Sequence, residues 1–139
     1  MVDRRTVEAM LTDLNHAISL LRVESQRPLT DFLDDEVRAF GIQHLLQISI
    51  ESLANISNHL AADLGWRKPK SYVESFTNLV DNGVVKDSHL GERLVLMARF
   101  RNLVVHRYWK VDTKEVHRII CNHLDDLSRV AADILRFLS

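Results

Sequence analysis

Cysteine is almost missing from this 139-residue chain, and the single thiol, Cys121, excludes an intramolecular disulfide. No second thiol stands near it at the spacing of a zinc site, and a reduced, cytoplasmic compartment is the expected location. There is also no excess of one charge. Eighteen Lys and Arg face nineteen Asp and Glu, a net charge of -1. A protein gripping long nucleic acid through overall electrostatics is usually basic, so any RNA contact must come from a local cationic patch or an assembly that concentrates one. No long apolar run occurs, and the start, Met1-Val2-Asp3-Arg4-Arg5, leads straight into an amphipathic pattern. Neither a signal peptide nor a membrane span is expected. No glycine-rich phosphate loop is present, so nucleotide binding in the P-loop or Rossmann manner is not expected. Strand patterns, internal repeats and low-complexity segments are likewise missing.

What is present reads as helix almost throughout. Hydrophobic residues make up 46% and charged residues 27% of the chain, the balance of an ordinary globular protein. Residues 1–139 are read as one domain, a size that buries about two-thirds of its unfolded surface. Val7, Met10, Leu11, Leu14, Ile18 and Leu21 recur at threes and fours, predicting a helix over residues 4–24 that ends before Pro28. Thr30, Asp31, Asp34, Asp35 and Glu36 are suited to a helix N-terminus. A long second helix follows them and stops at Gly65, a left-handed C-cap. Ser71 and Glu74 form a capping-box pair for a short third helix ending at Asn82-Gly83. A fourth runs from about Ser88. Asp112 and Glu115 make a second capping-box signature for a fifth, whose apolar stripe from Val116 to Leu138 continues to the C-terminus. The fold class is all-α, an antiparallel up-down bundle of four long helices with one short extra helix.

The fourth helix ends in Arg101-Asn102-Leu103-Val104-Val105-His106-Arg107-Tyr108. Asn102 and His106 are four apart and share a face, whereas Arg101 lies roughly 140° from His106. Val104 and Val105 are β-branched and weaken the helix, which places the imidazole and Tyr108 where the backbone turns. An arginine and a histidine at a helix end commonly just cap carbonyls or pair with an acid. Here the order Arg, four residues, His, one residue, Tyr, followed by Trp109-Lys110-Val111-Asp112, resembles the signature of HEPN-domain proteins, and specifically of HepT-like toxins.

That resemblance covers nearly the whole chain, and it implies a function. Arg101 and His106 would form a metal-independent endoribonuclease site, with Asn102 in support, needing no cofactor. Tyr108 would be where a partner MNT-type minimal nucleotidyltransferase, the antitoxin of a type VII MNT-HEPN pair, attaches AMP. The motifs of two subunits would face one cleft. The chemistry is consistent with the residues: RNA carries its own nucleophile in the 2′-hydroxyl, histidine ordinarily titrates near neutrality and can be acid or base, and arginine can clasp a phosphate with two parallel bonds. Asn102 would orient the phosphate or the imidazole. One histidine serves poorly as both acid and base in a single step, which favours a homodimer or higher even oligomer. The long second helix, with more apolar residues than one narrow stripe needs, points the same way. A non-catalytic reading stays open beside this one: a helical binding partner, or protein substrate, of such a nucleotidyltransferase.

Glu51 and Asn55 sit four apart among Ile50, Leu53, Ala54 and Ile56. At least one should face other helices and need a partner, and Glu51 could orient Arg101 or His106. The remaining histidines, 16, 44, 59, 89, 117 and 123, lack the paired spacing of a metal site and are read as structural or exposed. Asp34-Asp35-Glu36 fits helix-dipole complementarity better than a metal cluster. Arg67-Lys68-Pro69-Lys70 is a small basic cluster, a solvated loop by default and nucleic-acid contacting as the alternative. Trp66 beside it is read as a packed aromatic.

Overall fold

Helix α1 runs over Arg4–Glu24, α2 over Leu29–Leu33, α3 over Glu36–Leu64, α4 over Tyr72–Asp81 and α5 over Ser88–His106; a 3-10 turn at Tyr108–Lys110 leads to α6, Thr113–Asn122, and α7, Leu124–Leu138. This is a computed structural model, and it describes residues 2–139. Met1 lies outside the described residues. The chain is all-helical as expected, with its long helices at α1, α3, α5 and α7.

Most helix starts are built from one recurring device. Asp3, Asp35, Ser71, Asp87 and Asp112 each use a side-chain oxygen to accept an N–H of the first turn of α1, α3, α4, α5 and α6, satisfying donors that have no partner within the helix. Asp87 accepts from both His89 N and Leu90 N and pairs with Arg129 at 2.7 Å. The Arg129 contact, then the Leu90 N–H, hold its carboxyl down at about 2. The stabilisation from this cap is therefore complete above the ordinary carboxylate range and is lost only as the pH falls toward that value. The capping boxes are incomplete. Glu74 reaches past Ser71 to accept from Lys70 N at 2.7 Å, and Glu115 turns away to Arg118 at 2.6 Å.

The helices depart from expectation at two places, an added short helix before α3 and a break in the fifth expected helix. Between Thr30 and Glu36 the acids serve two ends rather than one, because Asp34 closes α2 and Asp35 opens α3. The fifth expected helix divides at His123, whose φ of -126° and ψ of 5° leave the helical region. The Asn122 side chain donates to Arg118 O at 2.9 Å, bonding to the backbone itself as asparagine does where helices end. Three short α-helices, not one, thus accompany the long ones.

Helix α3 is the axis of the molecule. It packs against all six other α-helices, and Leu46, Ile50, Leu53, Ala54, Ile56 and Leu60 on it are 0–1% exposed. This corrects the reading of its broad apolar surface as a sign of a second subunit: most of it is consumed within the chain. Gly65 ends the helix at φ 69°, the left-handed cap expected there. Trp66 packs edge-on to Phe137 at 6.1 Å, as a packed aromatic should.

The bend at His123 has a structural use. It brings Asp126, 6% exposed, onto α5, where Arg93 donates to both its oxygens at 2.8 and 3.1 Å. The Asp126 hydrogen bonds raise the Arg93 pKa. Arg93→Ala would leave that carboxylate nearly buried with only the His123 ring, 3.3 Å away, as a partner, and is expected to cost roughly 1–3 kcal/mol in urea unfolding. Replacing both residues with Met and Leu should recover most of it. A single variant as stable as the parent would show that His123 and water suffice for Asp126.

Candidate functional site

Arg101 is on the last turns of α5, and its guanidinium is held on three sides. Nε and Nη2 donate to Glu51 Oε2 at 3.0 and 2.6 Å, Nη1 donates to Asn102 Oδ1 at 3.3 Å, and the Tyr72 ring stacks beneath Cζ with its centroid 4.0 Å away. The ion pair is sheltered, with side-chain exposures of 15% for Arg101 and 22% for Glu51. Solvent and salt screen such a pair less than a surface one. Gln47, one turn before Glu51, donates to its Oε1 at 3.3 Å. Five guanidinium N–H groups less the three engaged leave two for an incoming anion.

The polar residue expected to face inward on α3 is therefore Glu51, and it meets Arg101. Asn55 is exposed. Asn102, expected to orient a phosphate or the imidazole, instead accepts from Arg101. His106 is the final residue of α5, exposed, and its ring makes no hydrogen bond among the described residues. The geometry thus joins Arg101, Asn102 and Glu51 into one cluster and leaves His106 outside it, exposed at the end of α5.

Past His106 the backbone leaves the helix at Arg107, whose N–H still bonds to Leu103 O at 2.8 Å. Tyr108 opens the 3-10 turn and is 55% exposed. Its ring meets Phe40 of α3 at 6.4 Å and Trp109 at 5.3 Å, both edge to face. The β-branched pair before the histidine and the turn after it give the helix end that the residues predicted.

Tyr72 is the residue that sequence reasoning missed. It follows the capping Ser71 at the start of α4, and nothing in its spacing marks it for Arg101, 29 residues later. The rest of the surface is conventional. His59 lies 3.3 Å from Asp63, His117 faces Phe32 and Cys121, and His123 meets Asp126. No group of three or more His, Cys, Asp or Glu able to hold a metal gathers among the described residues. Of the 67–70 segment, Arg67 pairs with Glu74, while Lys68 and Lys70 form no ion pair among the described residues. No helix among the described residues is long and apolar enough to cross a membrane.

Residues 14–134 match the family described as Ribonuclease HepT-like. A Bacillus subtilis protein provisionally described as an RNase, YutE, is 29% identical over 122 residues, covering 88% of this chain and 80% of its own. The mRNA nuclease HepT of Shewanella oneidensis is 30% identical over 84 residues, 60% of this chain and 62% of that one. In three dimensions a tri-AMPylated Shewanella oneidensis HEPN toxin, solved with its MNT antitoxin, superposes with a TM-score of 0.85 at 23% identity, covering 98% of this chain and 99% of that one. The chain belongs to the HepT-like ribonuclease family.

Proposed function

We propose that this protein is the toxin of an MNT-HEPN toxin–antitoxin pair, a metal-independent endoribonuclease that cuts RNA through Arg101 and His106 brought together from two copies. The observation that carries this reading is the Arg101 cluster: a cation immobilised by Glu51, Tyr72 and Asn102, with two N–H groups unspent, one and a half turns before an exposed histidine. Family membership and the mRNA nuclease named among the relatives support the substrate class.

In the proposed reaction a base takes the proton of the 2′-hydroxyl, the 2′-oxygen bonds to phosphorus, the P–O5′ bond breaks, and an acid delivers a proton to the leaving 5′-oxygen. His106 supplies one proton transfer, and the same histidine of a second copy supplies the other. Arg101 meets the charge that grows on the non-bridging oxygens, and because Glu51 and Tyr72 already hold it in place, little ordering is needed at the moment of reaction. The products are a 2′,3′-cyclic phosphate and a 5′-hydroxyl. Incubation of single-stranded RNA with the protein in EDTA tests this directly, with the DNA of the same sequence left intact because it lacks the internal nucleophile. Products with 5′-phosphate ends, or no cleavage at all, would count against it.

The second copy has a face to dock on. Leu96, Phe100 and Leu103 follow one another down α5 at spacings of four and three and lead to His106 three residues later. Leu96 is 60% and Leu103 41% exposed. They border a groove of about 400 Å³ against α6 and α7. An apolar stripe that ends on the catalytic histidine suits an isologous contact, in which each subunit presents the same patch. Light scattering at tens of micromolar is expected to show a dimer or a higher even oligomer. Leu96→Glu with Leu103→Glu should give a helical monomer that no longer cleaves RNA. A monomeric parent that still cleaves would end the composite-site proposal.

A further inference from the structure

Three aromatic rings gather beside His106, and two of them are more than half exposed: Tyr108 at 55% and Trp109 at 65%, with Phe40 at 44%. The chain has only nine aromatic residues of the Phe, Trp and Tyr types, so this concentration on the surface requires an explanation. Burying an indole is among the larger apolar gains available to a fold. This one is held outward by the 3-10 turn at Tyr108–Lys110. The rings are braced against each other: Trp109 lies 5.3 Å from Tyr108 at 87°, and Tyr108 6.4 Å from Phe40 at 61°. An edge-to-face contact covers one face of one ring and only the edge of the other. Most of the flat aromatic surface in this group is therefore uncovered by its own members.

The charges around the rings are one-sided. Arg107 and Lys110 bracket Tyr108 and Trp109 and are both exposed, and neither forms an ion pair among the described residues. The nearest following acid, Asp112, is engaged in capping α6 through Lys114 N at 2.9 Å. Glu36, one turn before Phe40 on α3, marks the acidic limit of the patch. Flat uncovered rings flanked by unpaired cations fit a planar base attached to a phosphate backbone, because the ring faces stack and the cations meet the phosphates. Trp109 is three residues from His106, a span of at most about 10 Å. That is within reach of a nucleotide adjoining the bond that His106 would act on.

We propose that Phe40, Tyr108 and Trp109 form a stacking platform for an unpaired base of the RNA substrate, next to the scissile phosphate, with Arg107 and Lys110 on the flanking backbone. The assignment rests on the ribonuclease reading and extends it. It makes single-stranded RNA the preferred substrate, since a base within a duplex has no free face to stack, and it makes selection among bases weak because every base has such a face.

The test separates binding from cutting. In a Trp66→Phe variant Trp109 is the sole indole, and a 2′-O-methyl RNA octamer, which cannot be cleaved, should quench its fluorescence. Trp109→Ala should weaken binding of the same octamer about 5- to 100-fold and raise KM for cleavable RNA by a similar factor, with kcat changed much less. Trp109→Phe should restore most of the loss. Phe40→Ala, a change on a separate helix, should weaken binding in the same direction. Cleavage with parental KM by Trp109→Ala, with no quenching in the Trp66→Phe protein, would overturn the platform and leave the ribonuclease reading standing. Failure of the parent protein to bind or cut RNA would overturn both. If Trp109→Ala binds RNA normally but no longer forms the dimer or no longer captures a nucleotidyltransferase partner, the rings are a protein-docking surface and the proposal is wrong.

Discussion

His106→Ala is expected to reduce RNA cleavage by at least 10²–10⁴-fold while leaving the far-ultraviolet circular dichroism of the parent. The magnitude is that of a lost general acid–base catalyst, and the intact fold follows from the exposed position of the ring, which makes no hydrogen bond among the described residues. Arg101→Ala should cost about 10²–10³-fold, the usual effect of removing a donor from a developing oxyanion. It also strips Glu51 of its partner, so Arg101→Lys is the informative companion. Lysine keeps the charge but cannot span Glu51 and a phosphate with one planar fork, and the activity should stay low with stability largely recovered. The non-catalytic reading gains only if purified parent and His106→Ala show the same trace activity, which would then belong to a contaminant.

Tyr108→Phe should separate cleavage from control. It removes one oxygen from a half-exposed ring and keeps the edge contacts to Phe40 and Trp109, so folding and RNA cleavage should persist. In the proposed control step the phenol oxygen attacks the α-phosphorus of ATP, pyrophosphate leaves, and the phenol proton passes to a base of the nucleotidyltransferase. The tyrosine then carries a phosphodiester and an adenine two residues from His106, where Arg101 can hold the new phosphate as it would that of the substrate. Incubated with such a partner, ATP and magnesium, the parent should gain one or more AMP groups by intact-mass spectrometry and lose its ribonuclease activity. The phenylalanine variant should gain none and stay active. AMP mapped to another residue, or a phenylalanine variant still silenced, would mean that docking alone inhibits.

Much of the fold is legible in the residues, for identifiable reasons. Helix α1 has the bounds its apolar spacing predicts because no breaker interrupts it before Ser25 and Pro28 follows. The break at His123 is not legible, since the apolar stripe continues across it: periodicity reports which face is buried and is silent on whether the backbone is continuous. Asp34 and Asp35 look like one N-terminal cluster, and only their backbone angles show that one ends a helix and the next begins another. At the candidate site, the motif is what proposes Arg101, His106 and Tyr108. Glu51 is suggested by being a carboxylate in apolar company, whereas the stacking of Tyr72 on Arg101 depends on how α4 lies against α5, which no local pattern encodes.

In the proposed reaction the carboxylate against Arg101 both lowers the charge of the guanidinium and fixes its position. With Glu51 sharing its charge, the guanidinium presents less net attraction to a monoanionic phosphodiester than a lone cation would, so the unreacted backbone of any passing RNA is not strongly retained. The phosphorane formed during transfer bears close to two negative charges and draws more from the same two N–H groups. The Glu51 charge subtracts from the attraction for both species, and more from that for the dianion, so what the pairing contributes to turnover is the fixed aim of those two N–H groups and not added charge.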